Sequence, residues 1–570
     1  MPPTQTHKPY YLGMGCALLA FLVVCWVRTY AVHSSVTFHV AVGLAALFPL
    51  LRQPKSQSRE WLYQQGFTKA IIGLWIGGGV VSAVAYLTVI HPVVGGVDWF
   101  YYLCYSRDAI GAYSPSNNMY SYFPGVYWFW TTAMQLVGSD ISSLQCVFVV
   151  ALAVNCLLVG IIVWQHTRCK RVATLAGIWT LMLLSRFDGV QGESEIIANI
   201  FFLTCLIAWK GVSLNQWSRW KSLLLFGLGL GLAVYMKQQA GLLALGALWF
   251  LGEQRQRTHR WDMLLTLPAF AGLALILCVL TAGRGLDPLW LGLSTATAYP
   301  SQDSWWLNLY TQFRHDESFW IVAVISVGLF LYGLCKKNPD PTSNSTRLIG
   351  FLMLSGLATL IQFKARPYHH YLLLTIPAVT IGSTILWHQQ RDRLTNRSLQ
   401  RCFLILMAML PFCWAEDYRW GYHPTQWPSA KQVQPLSSWH QRHDVRDYLD
   451  HLSDNLPAST TLLVLPGRHN SLHYLLNTRA GSDQGYSFNE SAYQSDKTWQ
   501  TLITQANSEF VLLLHSVVLD KTDRELWNSN RIEQARRLLK NHGYIRVKRA
   551  NHALLFQRRQ SIKDLPPDES

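Results

Sequence analysis

The sequence predicts an all-α polytopic membrane bundle of about 13 transmembrane helices with a small C-terminal α/β domain on its outer face. Three observations predict it. Half of the 570 residues are hydrophobic and only 14% are charged, a balance that excludes an ordinary soluble enzyme. Uncharged runs of about 14 to 22 residues recur from Tyr11 to Ala415, near the roughly 20 apolar residues that a spanning helix needs. Basic residues fall in every second loop, first Arg52, Lys55, Arg59 and Lys69, then Arg168, Lys170 and Arg171, and so on to Arg391, Arg393, Arg397 and Arg401.

That alternation places the N terminus in the cytoplasm, and it places Asp98 and everything after Trp414 on the outer side of a plasma (inner) membrane. It also accounts for the net charge of +16 without invoking nucleic acid. The expected spans are 11–28, 35–51, 69–90, 146–165, 172–186, 196–213, 222–236, 239–252, 262–281, 319–335, 348–363, 370–388 and 402–415. Segment 124–137 is also apolar, but counting it as a span would export Arg168 to Arg171. It is therefore expected to lie in the outer interface, where Trp128 and Trp130 are favoured. The first run lacks a small-residue cleavage site and is expected to be a retained span.

The spans divide the chain into a two-helix extension (1–68), a main bundle (69–415) with outer loops 91–145 and 282–318, and a soluble domain (416–570). In the last, 461–465 and 510–514 have the apolar runs of buried strands, 531–541 that of an amphipathic helix, and 544–549 with 553–558 those of a hairpin. All eleven cysteines precede Trp414, so the outer domain is expected to have no disulfide of its own. Gly227, Gly229 and Gly231 sit inside a span and suit close helix packing; a dinucleotide loop needs a strand before it.

Ionisable residues gather at the outer ends of the spans. Asp98, Tyr101, Tyr102, Arg107 and Asp108 open the first large loop, and an acidic turn from Arg186 to Glu195 contains Asp188 and Glu193. Lys237 lies between two short apolar runs, and Lys364, Arg366, His369, His370 and Tyr371 precede a late span. Charges at membrane depth are costly and mark sites or pathways. Lys364 with Arg366 suits a phosphate, with snorkelling to headgroups the competing reading for Lys237 and headgroup anchoring for the pair. Asp98 suits a general base, with pairing to Arg107 as its competing reading. His369 and His370 are adjacent, so on a helix they diverge and chelate poorly.

In order and content these segments resemble the GT-C membrane glycosyltransferases that use polyprenyl-phosphate sugars, especially the aminoarabinose transferases and protein O-mannosyltransferases. Asp98 to Tyr102 resembles the family's acidic motif, and Phe123-Pro124-Gly125-Val126-Tyr127 its proline–tyrosine element. Asp188 resembles its second outer acid, Met236-Lys237-Gln238-Gln239 its Thr-Lys-Gly turn, and Lys364 to Pro377 its Lys-to-Pro stretch entering a late span. The Glu-Lys pair that precedes the proline in aminoarabinose transferases is replaced here by Tyr122-Phe123, which leaves sugar and acceptor open.

The resemblance implies transfer of a sugar from a polyprenyl-phosphate donor to an envelope lipid, glycan or protein. Asp98 and Asp188 would be the catalytic carboxylates, with Asp98 activating the acceptor hydroxyl. Lys237, Lys364 and Arg366 would hold the departing phosphate, and Tyr101, Tyr102, Tyr127 and Tyr371 would position the sugar. Arg107, Glu193, His369 and His370 complete the expected binding residues. No cofactor is expected; a divalent metal shared by Asp98, Asp188 and Glu193 stays open. The alternative is a transporter or lipid flippase, which predicts repeated halves and broken helices at the bilayer midplane.

Overall fold

A computed structural model describes residues 97–110, 124–139, 141–186, 192–213, 219–252, 304–315, 344–364 and 369–391. In the C-terminal part it describes 456–465, 470–481, 496–505, 508–514, 527–550 and 553–559, with a few isolated positions besides. The expected spans at 11–28, 35–51, 69–90, 262–281, 319–335 and 402–415 lie outside these segments.

Two helices come from the segment expected to form the first outer loop, α1 (Val97–Ile110) and α2 (Gly125–Val137). Four long helices follow: α3 (Ile141–Thr167), α4 (Lys170–Arg186), α5 (Ser194–Ser213) and α6 (Arg219–Met236). A 3₁₀ helix spans Gln238–Gly252, and then come α7 (Trp305–His315), α8 (Asn344–Thr359), two 3₁₀ turns (Leu360–Lys364 and His369–Leu372) and α9 (Thr375–Arg391). Among the described residues, Val150–Thr167 and Ser345–Phe363 are long and apolar enough to cross a membrane, and Ser194–Ile207 and Leu224–Met236 are shorter apolar helices. Helix α2 starts behind Pro124, which cannot extend a helix backward, and closes at Gly138, whose N–H reaches the Met134 carbonyl at 2.9 Å. Its 13 residues rise about 20 Å, short of the roughly 30 Å hydrocarbon core.

Small residues and buried polar side chains join the helices, as expected where hydrophobicity alone gives no preference between helix and lipid. At Gly229 an added Cβ would lie 2.6 Å from the Cβ of Cys205, so glycine is what lets α6 close on α5. Asn155 of α3 donates to the Ile196 carbonyl of α5 at 2.9 Å, and the hydroxyls of Thr359 and Thr375 join α8 to α9 at 2.5 Å. The 3₁₀ helix packs on α8, where the Ser355 hydroxyl donates to the Leu243 carbonyl at 2.7 Å. Runs of this helix type beyond three or four residues are uncommon; at about 2.0 Å per residue, its 15 residues extend about 30 Å. The two short runs on either side of Lys237 are separated by that residue alone, where the expected spans leave Lys237 and Gln238 between them.

The C-terminal part is a five-stranded sheet of order β2-β1-β3-β5-β4, with β1 (Thr461–Leu465), β2 (Arg479–Ala480), β3 (Phe510–Leu514), β4 (Tyr544–Ala550) and β5 (Ala553–Arg558). Strands β2, β1 and β3 are parallel, and β5 and β4 close the sheet as an antiparallel hairpin. Among the described residues it is accompanied by helices α10 (Asn470–Leu475), α11 (Asp496–Gln505) and α12 (Ser529–Asn541). Asn528 caps α12 by accepting the Arg531 N–H at 3.1 Å, and α12 buries Ile532, Ala535 and Leu539. Strands β1, β3, β4 and β5 and the last helix lie where the periodicity predicts them; the two-residue β2 was not foreseen.

The two parts meet at α1 and α10. Helix α10 ends in a Schellman turn: Asn477 is left-handed at φ 50°, and the Thr478 N–H reaches back to the His473 carbonyl at 3.0 Å. Tyr474 is buried with the helical core, and its hydroxyl donates to the Ser139 carbonyl between α2 and α3 at 2.6 Å.

Candidate active site

Helix α1 carries Asp98 in its first turn, one residue before Trp99. Trp99 is buried, and its ring lies directly against Gly192, whose φ of +84° favours glycine and where a Cβ would run into the indole. This contact sets the N-terminal turn of α1 against the turn entering α5. There Glu193, Ser194 and Glu195 are all buried, at 4%, 0% and 0% exposure.

Lys237 completes the cluster. Its N–H continues α6 by bonding the Ala233 carbonyl at 3.0 Å, and its own carbonyl accepts from Ala240 at 2.9 Å, so both flanking helices fix its backbone. Its ammonium is 2% exposed and lies 2.9 Å from a carboxylate oxygen of Glu195. The other Glu195 oxygen accepts from the Ser194 hydroxyl at 3.4 Å, and that hydroxyl lies 3.4 Å from the phenol of Tyr102 on α1. A chain of polar groups thus runs from the joint of α6 to the helix of Asp98. A lysine snorkelling to headgroups would extend into solvent; this one is turned inward onto a carboxylate.

Beside this chain, Tyr101, Tyr102, Tyr105 and Tyr127 pack edge to face, with ring centroids 4.8 Å apart for Tyr101 and Tyr105 and 5.8 Å for Tyr102 and Tyr127. All four are buried, and Gly125 at the start of α2 lies against the Tyr235 backbone of α6. Burial, reinforced by the neighbouring Tyr101, Tyr105 and Tyr102, raises the Tyr127 phenol well above its ordinary value.

The segment with the remaining cations is tied to the same helix. Asn199, one turn beyond Glu195 on α5, donates to the Leu373 carbonyl at 2.8 Å and is fully buried. Asn308 and Trp305 of α7 donate to the Phe363 and Leu360 carbonyls at 2.9 and 3.1 Å. The ring of Tyr371 meets that of Phe363 at 5.9 Å. Lys364, His369 and His370 are carried by these 3₁₀ turns, with only their backbone described, as for Asp98. Asp188 and Arg366 lie outside the described residues.

Arg107 stands apart from the cluster. Nine residues of helix, about 13 Å of rise, separate it from Asp98, which removes the pairing between them. Its guanidinium instead donates to the carbonyls of His473 at 3.0 Å and Thr478 at 2.7 Å, and contacts Asp108 at 3.4 Å. Sequence reasoning missed Glu195, Ser194 and Asn199. The signal for two of them was present: Glu195 and Asn199 are polar residues four apart at the start of an apolar span, hence on one face. Among the described residues no group of three metal-ligating side chains comes together.

No protein-family model matches the chain, and no curated protein matches it in sequence. In three dimensions it is similar to ArnT from Cupriavidus metallidurans, solved bound to undecaprenyl phosphate, with a TM-score of 0.53 and 10% identity over 86% of this chain and 98% of that one. It is also similar to the archaeal oligosaccharyltransferase AglB from Archaeoglobus fulgidus, solved with an inhibitory peptide and a dolichol-phosphate, with a TM-score of 0.49 and 12% identity over 88% and 76%. A third similarity is to the Archaeoglobus fulgidus oligosaccharyltransferase solved in complex with Zn and sulfate, with a TM-score of 0.49 and 13% identity over 87% and 74%. The first likeness shows the fold alone: a helix-rich chain that carries a small C-terminal sheet and is similar over 86% of its length to ArnT. At 10% identity it is a likeness of fold, and the chemistry rests on this chain's own residues.

Proposed function

We propose that the protein is a polytopic membrane glycosyltransferase. It moves a sugar from a polyprenyl-phosphate donor to an envelope lipid, glycan or protein on the outer face. The observation that carries this reading is the buried Lys237–Glu195 pair, wired through Ser194 and Tyr102 to the helix of Asp98. A cation held at membrane depth beside an acid-bearing helix suits a lipid-borne phosphate, and the fold is one in which a solved relative holds undecaprenyl phosphate.

In this mechanism the acceptor hydroxyl oxygen attacks the anomeric carbon while the bond from that carbon to the phosphate oxygen breaks. Asp98 takes the hydroxyl proton as general base. Lys237, Lys364 and Arg366 neutralise the charge that grows on the departing polyprenyl phosphate. Tyr101, Tyr102, Tyr127 and Tyr371 flank the sugar, and Asp188, Glu193, His369 and His370 border it. Arg107 contributes by fixing α1 to the outer domain. The bundle of about 13 spans, with its outer domain and opposed termini, belongs to this proposal.

Purified protein in nanodiscs, given radiolabelled polyprenyl-phosphate sugars and envelope extract, tests the reading. A labelled acceptor should form, and Asp98→Asn should slow its formation about 100-fold or more. Intact donor, with labelled lipid or solute crossing vesicles instead, would establish the transporter.

A further inference from the structure

Lys237 is neutralised before any phosphate arrives. Its ammonium is within 2.9 Å of Glu195, both groups are buried, and Glu193 lies buried two residues earlier in the same turn. A phosphate that reaches Lys237 must settle beside that carboxylate, and like charges at contact distance oppose binding strongly. Glu195 has somewhere to turn: its second oxygen already accepts from Ser194, which in turn meets Tyr102. A carboxylate held in this way can yield the ammonium without losing every partner.

We infer that Glu195 is a positioning residue that competes with the carrier's phosphate for Lys237. It holds the ammonium at the joint between α6 and the 3₁₀ helix while the site is empty, and it weakens the grip on polyprenyl phosphate once the sugar has left. Product release limits turnover in many enzymes, and a site that binds its spent carrier too tightly is slowed at that step. The inference rests on the reading of Lys237 as a phosphate ligand and goes beyond it by assigning the affinity of that ligand to its counter-ion.

The test uses full-length protein in phosphatidylcholine nanodiscs with a short-chain polyprenyl phosphate as probe, its Kd measured by calorimetry and folding followed by thermal melting. Glu195→Gln keeps the shape and removes the charge; the expected result is binding about tenfold tighter or more. In the labelled transfer assay its kcat and KM should fall together. Damage to the fold can only weaken binding, so tightening separates the competitive role from a structural one. Folded Glu195→Gln with unchanged or weaker affinity overturns the inference. Lys237→Gln is the control: it should weaken binding about tenfold, and unchanged affinity there would instead remove the phosphate reading itself. Should Glu195→Gln fail to fold, Ser194→Ala keeps the ion pair but removes the carboxylate's second partner. Binding about threefold weaker at an unchanged melting temperature supports the inference; unchanged binding, or weakening only in step with a lowered melting temperature, overturns it.

Discussion

Arg107 on α1 donates to the backbone carbonyl of Thr478 at 2.7 Å, joining the helix that carries Asp98 in its first turn to the end of α10 in the C-terminal domain. A second bond to the His473 carbonyl makes the arginine a cap for α10, supplied by another part of the chain. Replacing Arg107 with Met keeps the apolar stem and removes the donors. The expected loss is about 2 kcal/mol of docking, seen as faster amide hydrogen exchange across 470–481 with exchange in α3 and α5 unchanged.

Asn199 holds the turn before α9 through the Leu373 carbonyl. Asn199→Leu keeps the branched side-chain shape and leaves that buried carbonyl without its donor, which costs about 1 to 3 kcal/mol. Hydrogen exchange should rise in 369–374, and the KM for a polyprenyl-phosphate donor should rise more than kcat falls, because the turn carries His369 and leads from Lys364.

Gly192 meets the Trp99 ring at a positive φ. Gly192→Ala combines backbone strain of about 1 kcal/mol with a clash against a buried indole, so the melting temperature should drop. Adding Trp99→Leu should recover part of the loss by opening space, while leaving the backbone component. A double variant no more stable than Gly192→Ala would show that the ring contact is not what selects glycine.

Burial lifts the Tyr127 phenol above its ordinary value of 10.0. The folded chain then holds this proton more tightly than the unfolded chain, so its contribution to stability is complete below about pH 10 and declines as pH rises beyond it. Tyr127→Phe removes the titrating group. Between pH 8 and pH 11 the melting temperature of the variant should therefore fall less than that of the parent protein.

The helices α3, α4, α5 and α6 and the strands β1, β3, β4 and β5 of the C-terminal domain were legible because each follows from a local rule, either an apolar run or an alternation, whereas the two-residue β2 carries neither signal. The helix α2 was legible as an apolar run, and charge parity, which made Arg168 to Arg171 incompatible with an extra span, is the argument for reading it as interfacial. Lys237 was picked out by charge at membrane depth, but its partner was not. Glu195 lies 42 residues earlier, and only the packing of α5 on α6 makes them neighbours. The partners of Arg107 were hidden in the same way. An arginine near an acidic motif suits substrate binding locally, and its use emerges only when residues 366 to 371 positions later fold against it. Nothing in the sequence distinguishes the 3₁₀ form of Gln238–Gly252 from an α-helix, since both suit a short apolar run.

That helix form has a mechanical corollary. Rewound as an α-helix, the same 15 residues would shorten from about 30 Å to about 22 Å. Because Lys237 is hinged at its leading end, even one turn of rewinding would draw the ammonium by an ångström or two along the segment. The winding of the stretch from Gln238 to Gly252 therefore sets where along the segment's axis Lys237 stands.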